Sequence, residues 1–126
     1  MTVLDSSALL AYLRDEQGAD AVQEALAEAA SIGTVNLSEV LSKLVDGGQD
    51  PGKAMERIGV LPLEVVPFDE DLAVETARLR PLTVQAGLSL ADRACLALAR
   101  RRGVRALTAD AAWRRVRLDV DIVLVR

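Results

Sequence analysis

The chain has no histidine, a single cysteine (Cys95) and only three aromatic residues, Tyr12, Phe68 and Trp113. Without histidine, Ser-His and Cys-His catalysis are excluded, and one cysteine rules out both an internal disulfide and a Cys/His zinc site. Three aromatics are too few for a base-stacking platform of the single-strand-binding type. An excess of basic charge is also lacking: 15 Lys and Arg stand against 19 Asp and Glu, the net charge is −4 and the pI about 4.8, so bulk charge does not announce nucleic-acid binding. No apolar run approaches the roughly 18 residues needed to span a bilayer. The N-terminal apolar run is broken by Asp5 and lacks a basic flank, so it does not read as a signal peptide. The expectation is a soluble, cytoplasmic protein with no membrane contact, whose chemistry falls to carboxylates, hydroxyls, arginines and the lysines Lys43 and Lys53.

Apolar residues, by contrast, make up 51% of the 126 positions and the mean hydropathy is +0.22. That length supports one core, hence one domain over residues 1–126, and that composition predicts apolar surface that meets a partner or a second copy. Thr2 to Leu4 reads as a buried strand, followed by a helix from Ala8 to Leu13 that Ser6 and Ser7 can cap. Ala19 to Ala30 has amphipathic helical spacing, Gly33 to Asn36 is a strand candidate, and Leu37 to Val45 returns to helical spacing before Gly47-Gly48. Asp50-Pro51 opens a helix to Gly59, Leu63 to Pro67 is a third strand, and Asp69 caps a helix that ends before Pro81. Ser89 opens the apolar helix Leu90 to Arg101, Val104 to Thr108 is the fourth strand, Ala111 to Arg115 a helical turn, and Asp121 to Val125 the fifth strand. Strands alternating with helices predict an α/β fold: a five-stranded, mostly parallel sheet with helices on both faces.

Four acids fall at corresponding points of this pattern. Asp5 follows strand one, Glu39 follows strand two, Asp92 lies in the helix before strand four, and Asp110 follows strand four. In a parallel sheet these points share the carboxyl edge, where open α/β sheets bind ligands. Each has an ordinary structural explanation as well. Asp5 and Asp110 can cap helices, Glu39 can favour a helix N-terminus and pair with Lys43 at i+4, and Ser89-Leu90-Ala91-Asp92 matches a capping box. On a helical projection Asp92 shares a face with Cys95, Leu96 and Ala99 while Arg93 turns away, and Glu39 points out of the core. Carboxylates crowded at one edge repel one another unless a cation neutralises them, and an oxygen-only donor set suits Mg²⁺ or Mn²⁺. Metal-assisted phosphodiester hydrolysis is the reaction class this implies.

The blocks Val3-Leu4-Asp5-Ser6-Ser7-Ala8, Asn36-Leu37-Ser38-Glu39-Val40, Leu88-Ser89-Leu90-Ala91-Asp92-Arg93-Ala94-Cys95 and Leu107-Thr108-Ala109-Asp110-Ala111-Ala112-Trp113 resemble the motifs of PIN-domain ribonucleases. More narrowly they resemble VapC toxins of bacterial and archaeal toxin–antitoxin pairs, and the resemblance runs from Thr2 to the last strand. It implies that Asp5, Glu39, Asp92 and Asp110 are the acidic metal-binding and catalytic positions, supported by the hydroxyls of Ser7 and Thr108, with Asn36 ordering the turn before Glu39. It further implies Mg²⁺- or Mn²⁺-dependent endonucleolytic cleavage of an RNA substrate, a homodimer, and inhibition by a VapB-like antitoxin. Relatives often carry arginine where this chain has Ala111.

Arg114 and Arg115, close to Asp110, are the candidate substrate-binding residues, whereas Arg100-Arg101-Arg102 reads as an ordinary basic helix end. Trp113 and Cys95 read as packing residues. The alternative from a different class is a catalytically silent binding module that keeps the fold to pair with a partner. An aspartyl-phosphate phosphatase would need a second acid where Ser7 stands, and a phosphoacceptor receiver domain would need a lysine later than Lys53.

Overall fold

The pleat of the first strand, β1 (Thr2–Leu4), divides the protein into two apolar layers. Its successive side chains point to opposite faces, so Val3 enters one core and Leu4 the other, both fully buried. Ala106 and Leu107 of β4 (Arg105–Thr108) repeat the alternation beside it. In the computed structural model, which describes residues 1–126, the sheet order is β3-β2-β1-β4-β5, with β2 at Ala30–Gly33, β3 at Leu63–Val66 and β5 at Ile122–Leu124. Every strand pair is parallel.

On the Leu4 face pack α1 (Ser6–Leu13), α2 (Ala19–Glu28), α3 (Thr34–Asp46) and α4 (Pro51–Gly59), through Leu9, Val22, Val40 and Ile58 among others. The Val3 face is covered by α5 (Glu70–Arg78) and α7 (Leu90–Arg102), with α6 (Arg80–Thr83) and Trp113 of the 3-10 turn Ala111–Arg115. The expected α/β architecture is therefore present, with a sheet that is wholly rather than mostly parallel. No helix is long and apolar enough to cross a membrane.

Two local expectations change, while the helix capped by Asp69 ends at Arg78, before Pro81 as expected. The second strand lies at Ala30–Gly33 and not at 33–36, so α2 stops at Glu28 and α3 starts at Thr34. Alanine and glutamate are strong helix formers, which extends the apparent helix through residue 30. Pairing of Ala30 with Thr2 and with Leu63, and burial of Ser31 and Ile32, override that preference. The first helix is capped by Asp5, whose carboxylate accepts from the Ala8 N–H, rather than by the serines. Beyond Arg78 the chain re-enters a short helix with Pro81 in its first turn, where a missing N–H costs nothing.

Gly18 fastens the far end of β5 to the start of α2. Its φ is +102°, and a Cβ there would stand 2.6 Å from Cγ2 of Val125 and 2.9 Å from the Val125 carbonyl oxygen. Gly18→Ala is expected to cost about 2 kcal/mol or more through strain and overlap together. Urea unfolding measures this, and an unchanged midpoint would contradict the packing described.

Candidate active site

Asp5 ends the central strand at the point where the sheet order reverses, with β2 on one side of β1 and β4 on the other. It is 2% exposed, and its carboxylate is held by three donors. The Ala8 N–H donates to Oδ1 at 2.8 Å, the Ser7 hydroxyl to both oxygens at 2.7 and 2.9 Å, and the Thr108 hydroxyl to Oδ2 at 2.5 Å. The same hydroxyls accept from the loop after β4: Ala109 N–H donates to Ser7 Oγ and Asp110 N–H to Thr108 Oγ1. Ser7 and Thr108 thus lock the segment bearing Asp110 to Asp5. Each Asp5 oxygen thus accepts two hydrogen bonds, with the Ser7 hydroxyl shared between them.

The other three acids come to the same cleft. Asp92 lies in the first turn of α7, in the capping box expected of it: its Oδ2 accepts from Ser89 N–H at 2.9 Å, and Ser89 Oγ accepts from Asp92 N–H at 3.2 Å. Asp110 caps the 3-10 turn through Oδ1, which accepts from Ala112 N–H. Capping therefore occupies one oxygen of each and leaves the second without a hydrogen bond. Glu39 makes no hydrogen bond and no ion pair, so the expected i+4 pairing with Lys43 is not formed. Asn36 does more than order a turn. Buried at 1% exposure, its Nδ2 donates to the Ala91 carbonyl at 3.0 Å and to Ser6 Oγ at 3.4 Å, while Ser6 Oγ donates to the Asn36 carbonyl. One amide ties together the N-terminal turns of α1, α3 and α7, which carry or flank three of the acids.

The cleft has a volume of about 480 Å³ and is lined by Asp5, Ser7, Glu39, Asp92 and Asp110, together with Lys43, Arg14, Glu16 and Arg126. The last three were not singled out from the sequence. Ser7, Leu10 and Arg14 share a face of α1 at i, i+3 and i+7, a signal that was there to be read, whereas Arg126 reaches the cleft only through the sheet order. Arg114 and Arg115 are exposed and do not line it. Arg100, Arg101 and Arg102 are each paired with an acid, Asp119, Asp69 and Glu64 respectively. Arg93 turns away from Asp92 as expected, yet into the protein: it is 8% exposed and donates to the Thr76 carbonyl at 3.0 Å, fixing α7 against α5.

Burial pushes the Asp5 carboxyl up to about 6 against its three hydrogen bonds, with the Asp92 charge adding to the rise. Asp92 is also raised, mainly by burial and further by the charges of Asp110 and Glu39. Cys95, fully buried behind the pair, has its thiol pushed well up by burial and by the charges of Asp5 and Asp92, and is inert packing. No three of the acids stand close enough together in this structure to hold a metal ion between them. The donor chemistry nevertheless suits a hard divalent cation: only oxygens, with an oxygen free of hydrogen bonds on each of Glu39, Asp92 and Asp110, and two acids, Asp5 and Asp92, whose ionised forms are disfavoured by burial and by like charge.

Because the folded-state value of Asp5 lies above the unfolded value near 4, this residue favours folding fully below pH 4 and loses that contribution as pH rises through 6. The difference is about 3 kcal/mol, and Asp92 acts in the same direction. In chelator-treated protein, Asp5→Asn is expected to flatten the fall in stability between pH 4 and 7 and to raise Tm at pH 7.5. Parallel Tm-against-pH curves for the two proteins would contradict this.

A family-wide sequence profile for the PIN domain matches residues 2–118. No curated protein sequence matches the chain. Its fold is similar to the crystal structure of FitAcB from Neisseria gonorrhoeae, with TM-score 0.73, 20% identity, and 99% and 98% of the two chains covered. It is also similar to VapBC2 from Rickettsia felis bound to a DNA fragment from their promoter, with TM-score 0.72, 17% identity, and 97% and 96% covered. A third similar structure is VapBC-5 from Mycobacterium tuberculosis, a member of the VapBC family of toxin–antitoxin systems, with TM-score 0.67, 23% identity, and 98% and 97% covered. With a profile match over residues 2–118 and a fold shared with these structures over nearly the whole chain, the chain belongs to the PIN domain family.

Proposed function

We propose that this PIN domain, folded as one unit over residues 1–126, is a Mg²⁺- or Mn²⁺-dependent endoribonuclease acting in the cytoplasm as the toxin of a toxin–antitoxin pair. The observation that carries the reading is the convergence of Asp5, Glu39, Asp92 and Asp110 on one cleft at the strand-order switch. A divalent cation held by these acids would neutralise their charge and supply Lewis acidity toward a phosphodiester. The chain's own part is positioning: Ser7 and Thr108 fix Asp5 and the Asp110 loop, the capping box fixes Asp92, and Asn36 fixes the helix ends around them. With no histidine to serve as general base for 2′-hydroxyl attack, the products are 5′-phosphate and 3′-hydroxyl ends.

The antitoxin reading is supported by the similar structures, several of which are toxin–antitoxin complexes. The exposed apolar residues Leu82, Val84 and Leu90, close together in the chain, support a contact surface for a VapB-like antitoxin or a second copy in a homodimer. Arg114 and Arg115 would touch a flanking phosphate outside the cleft. The rival reading, a silent binding module, draws on the capping roles of Asp92 and Asp110, which a module without activity would also retain.

Single-stranded RNA incubated with purified protein is expected to be cut with Mn²⁺ or Mg²⁺ and not with chelator. Asp92→Asn is expected to lower the rate about a hundredfold or more while retaining the wild-type circular dichroism spectrum. Cyclic-phosphate ends would overturn the mechanism. Absence of cleavage together with no Mn²⁺-induced rise in Tm would favour the module. In the same assay, an Arg114→Ala/Arg115→Ala protein with unchanged affinity and salt dependence would remove those two arginines from the account.

A further inference from the structure

Helices α1 and α3 follow adjacent parallel strands, so both leave the carboxyl edge in the same direction, and both pack into the same core through Leu9, Leu10, Leu37 and Val40. The acid cleft extends along the groove between them. On the α1 wall Ser7, Leu10 and Arg14 form one stripe, and on the α3 wall Lys43 lies one turn beyond Glu39. At 1.5 Å per residue, Lys43 stands about 6 Å along its helix from Glu39, and Arg14 about 10 Å from Ser7. The groove is anionic where the helices begin and cationic one to two turns later. Neither Arg14 nor Lys43 is paired with an acid, although the cleft also holds Glu16, which pairs with Arg126 at 3.7 Å.

We propose that the α1–α3 groove is the track along which a single strand of RNA leaves the acid cluster, with Arg14 and Lys43 contacting phosphates that flank the scissile one. The assignment rests on the nuclease reading above and adds to it the substrate-positioning residues. A polyanion is the ligand class that needs both halves of this groove: the cation-binding acids at one phosphate and fixed positive charges at its neighbours. A cleft of about 480 Å³ has the size of a small-ligand pocket, room for a nucleotide or two of a single strand. In a chain of net charge −4, two unpaired cations in the wall of an acid cleft provide local attraction that bulk charge does not.

The test measures binding of a short fluorescein-labelled single-stranded RNA by anisotropy in Mn²⁺, beside initial cleavage rates, for wild type, Arg14→Ala, Lys43→Ala and the exposed control Arg80→Ala. Each groove variant is expected to weaken RNA binding and raise KM about fivefold, with kcat within about twofold. Each should also make the salt dependence of log affinity shallower by about 0.7. Arg80→Ala should match wild type, and Arg14→Lys should recover most of the loss. The Mn²⁺-induced rise in Tm should be unchanged in all of them. Wild-type affinity and salt dependence in both alanine variants would overturn the track, as would a loss of RNA binding that parallels a loss of Mn²⁺ stabilisation. If wild type binds RNA without cutting it, the nuclease reading fails while the anisotropy comparison still decides the track.

Discussion

A buried carboxylate needs partners, and in this protein the partners of Asp5 organise everything around it. An unpaired buried charge costs several kcal/mol or takes up a proton. Here three donors meet it, yet its pKa still rises to about 6, so the hydrogen bonds only partly offset burial. Two of those donors, Ser7 and Thr108, also accept from the loop that bears Asp110. The requirement to satisfy one side chain therefore fixes where a second acid stands.

The fold supplies the rest by topology. A central β1 with β2 and β4 on either side opens the crevice outside the strand ends, and the helices that begin there bring Glu39 and Asp92 to it. Asn36 bridges α1, α3 and α7, so the acid-bearing turns are tied to one another. The buried guanidinium of Arg93 anchors the start of α7 from behind. Stability is sacrificed at this edge: metal-free protein at neutral pH must hold Asp5 and Asp92 ionised against both burial and mutual repulsion.

Much of this was legible in the sequence because local rules and the global fold agree. Caps at Asp50, Asp69 and Ser89 and apolar spacing in the helices give most of the element order. The four acids were legible as a set because the strand–helix alternation puts each at the carboxyl edge of the sheet, even though Asp92 and Asp110 are also caps. The second strand was misplaced because Ala29 and Ala30 read as a continuation of the helix before it, and only pairing with Thr2 and Leu63 makes Ala30 the start of a strand. Arg126 and the inward course of Arg93 were hidden for a similar reason: both depend on contacts between distant segments. Arg14 was legible in principle, on the Ser7 face of α1, but no local rule marks an exposed arginine at a helix end as part of a cleft.

The central claim is that four carboxylates, each explicable singly by capping or by a helix dipole, together form one cation site. Anomalous diffraction from crystals soaked in Mn²⁺ tests it most directly. The account predicts a manganese peak in the cleft within bonding distance of Asp5 and at least two of Glu39, Asp92 and Asp110, and its loss in Asp5→Asn. A peak elsewhere, or no peak at Mn²⁺ concentrations that raise the Tm, would contradict it.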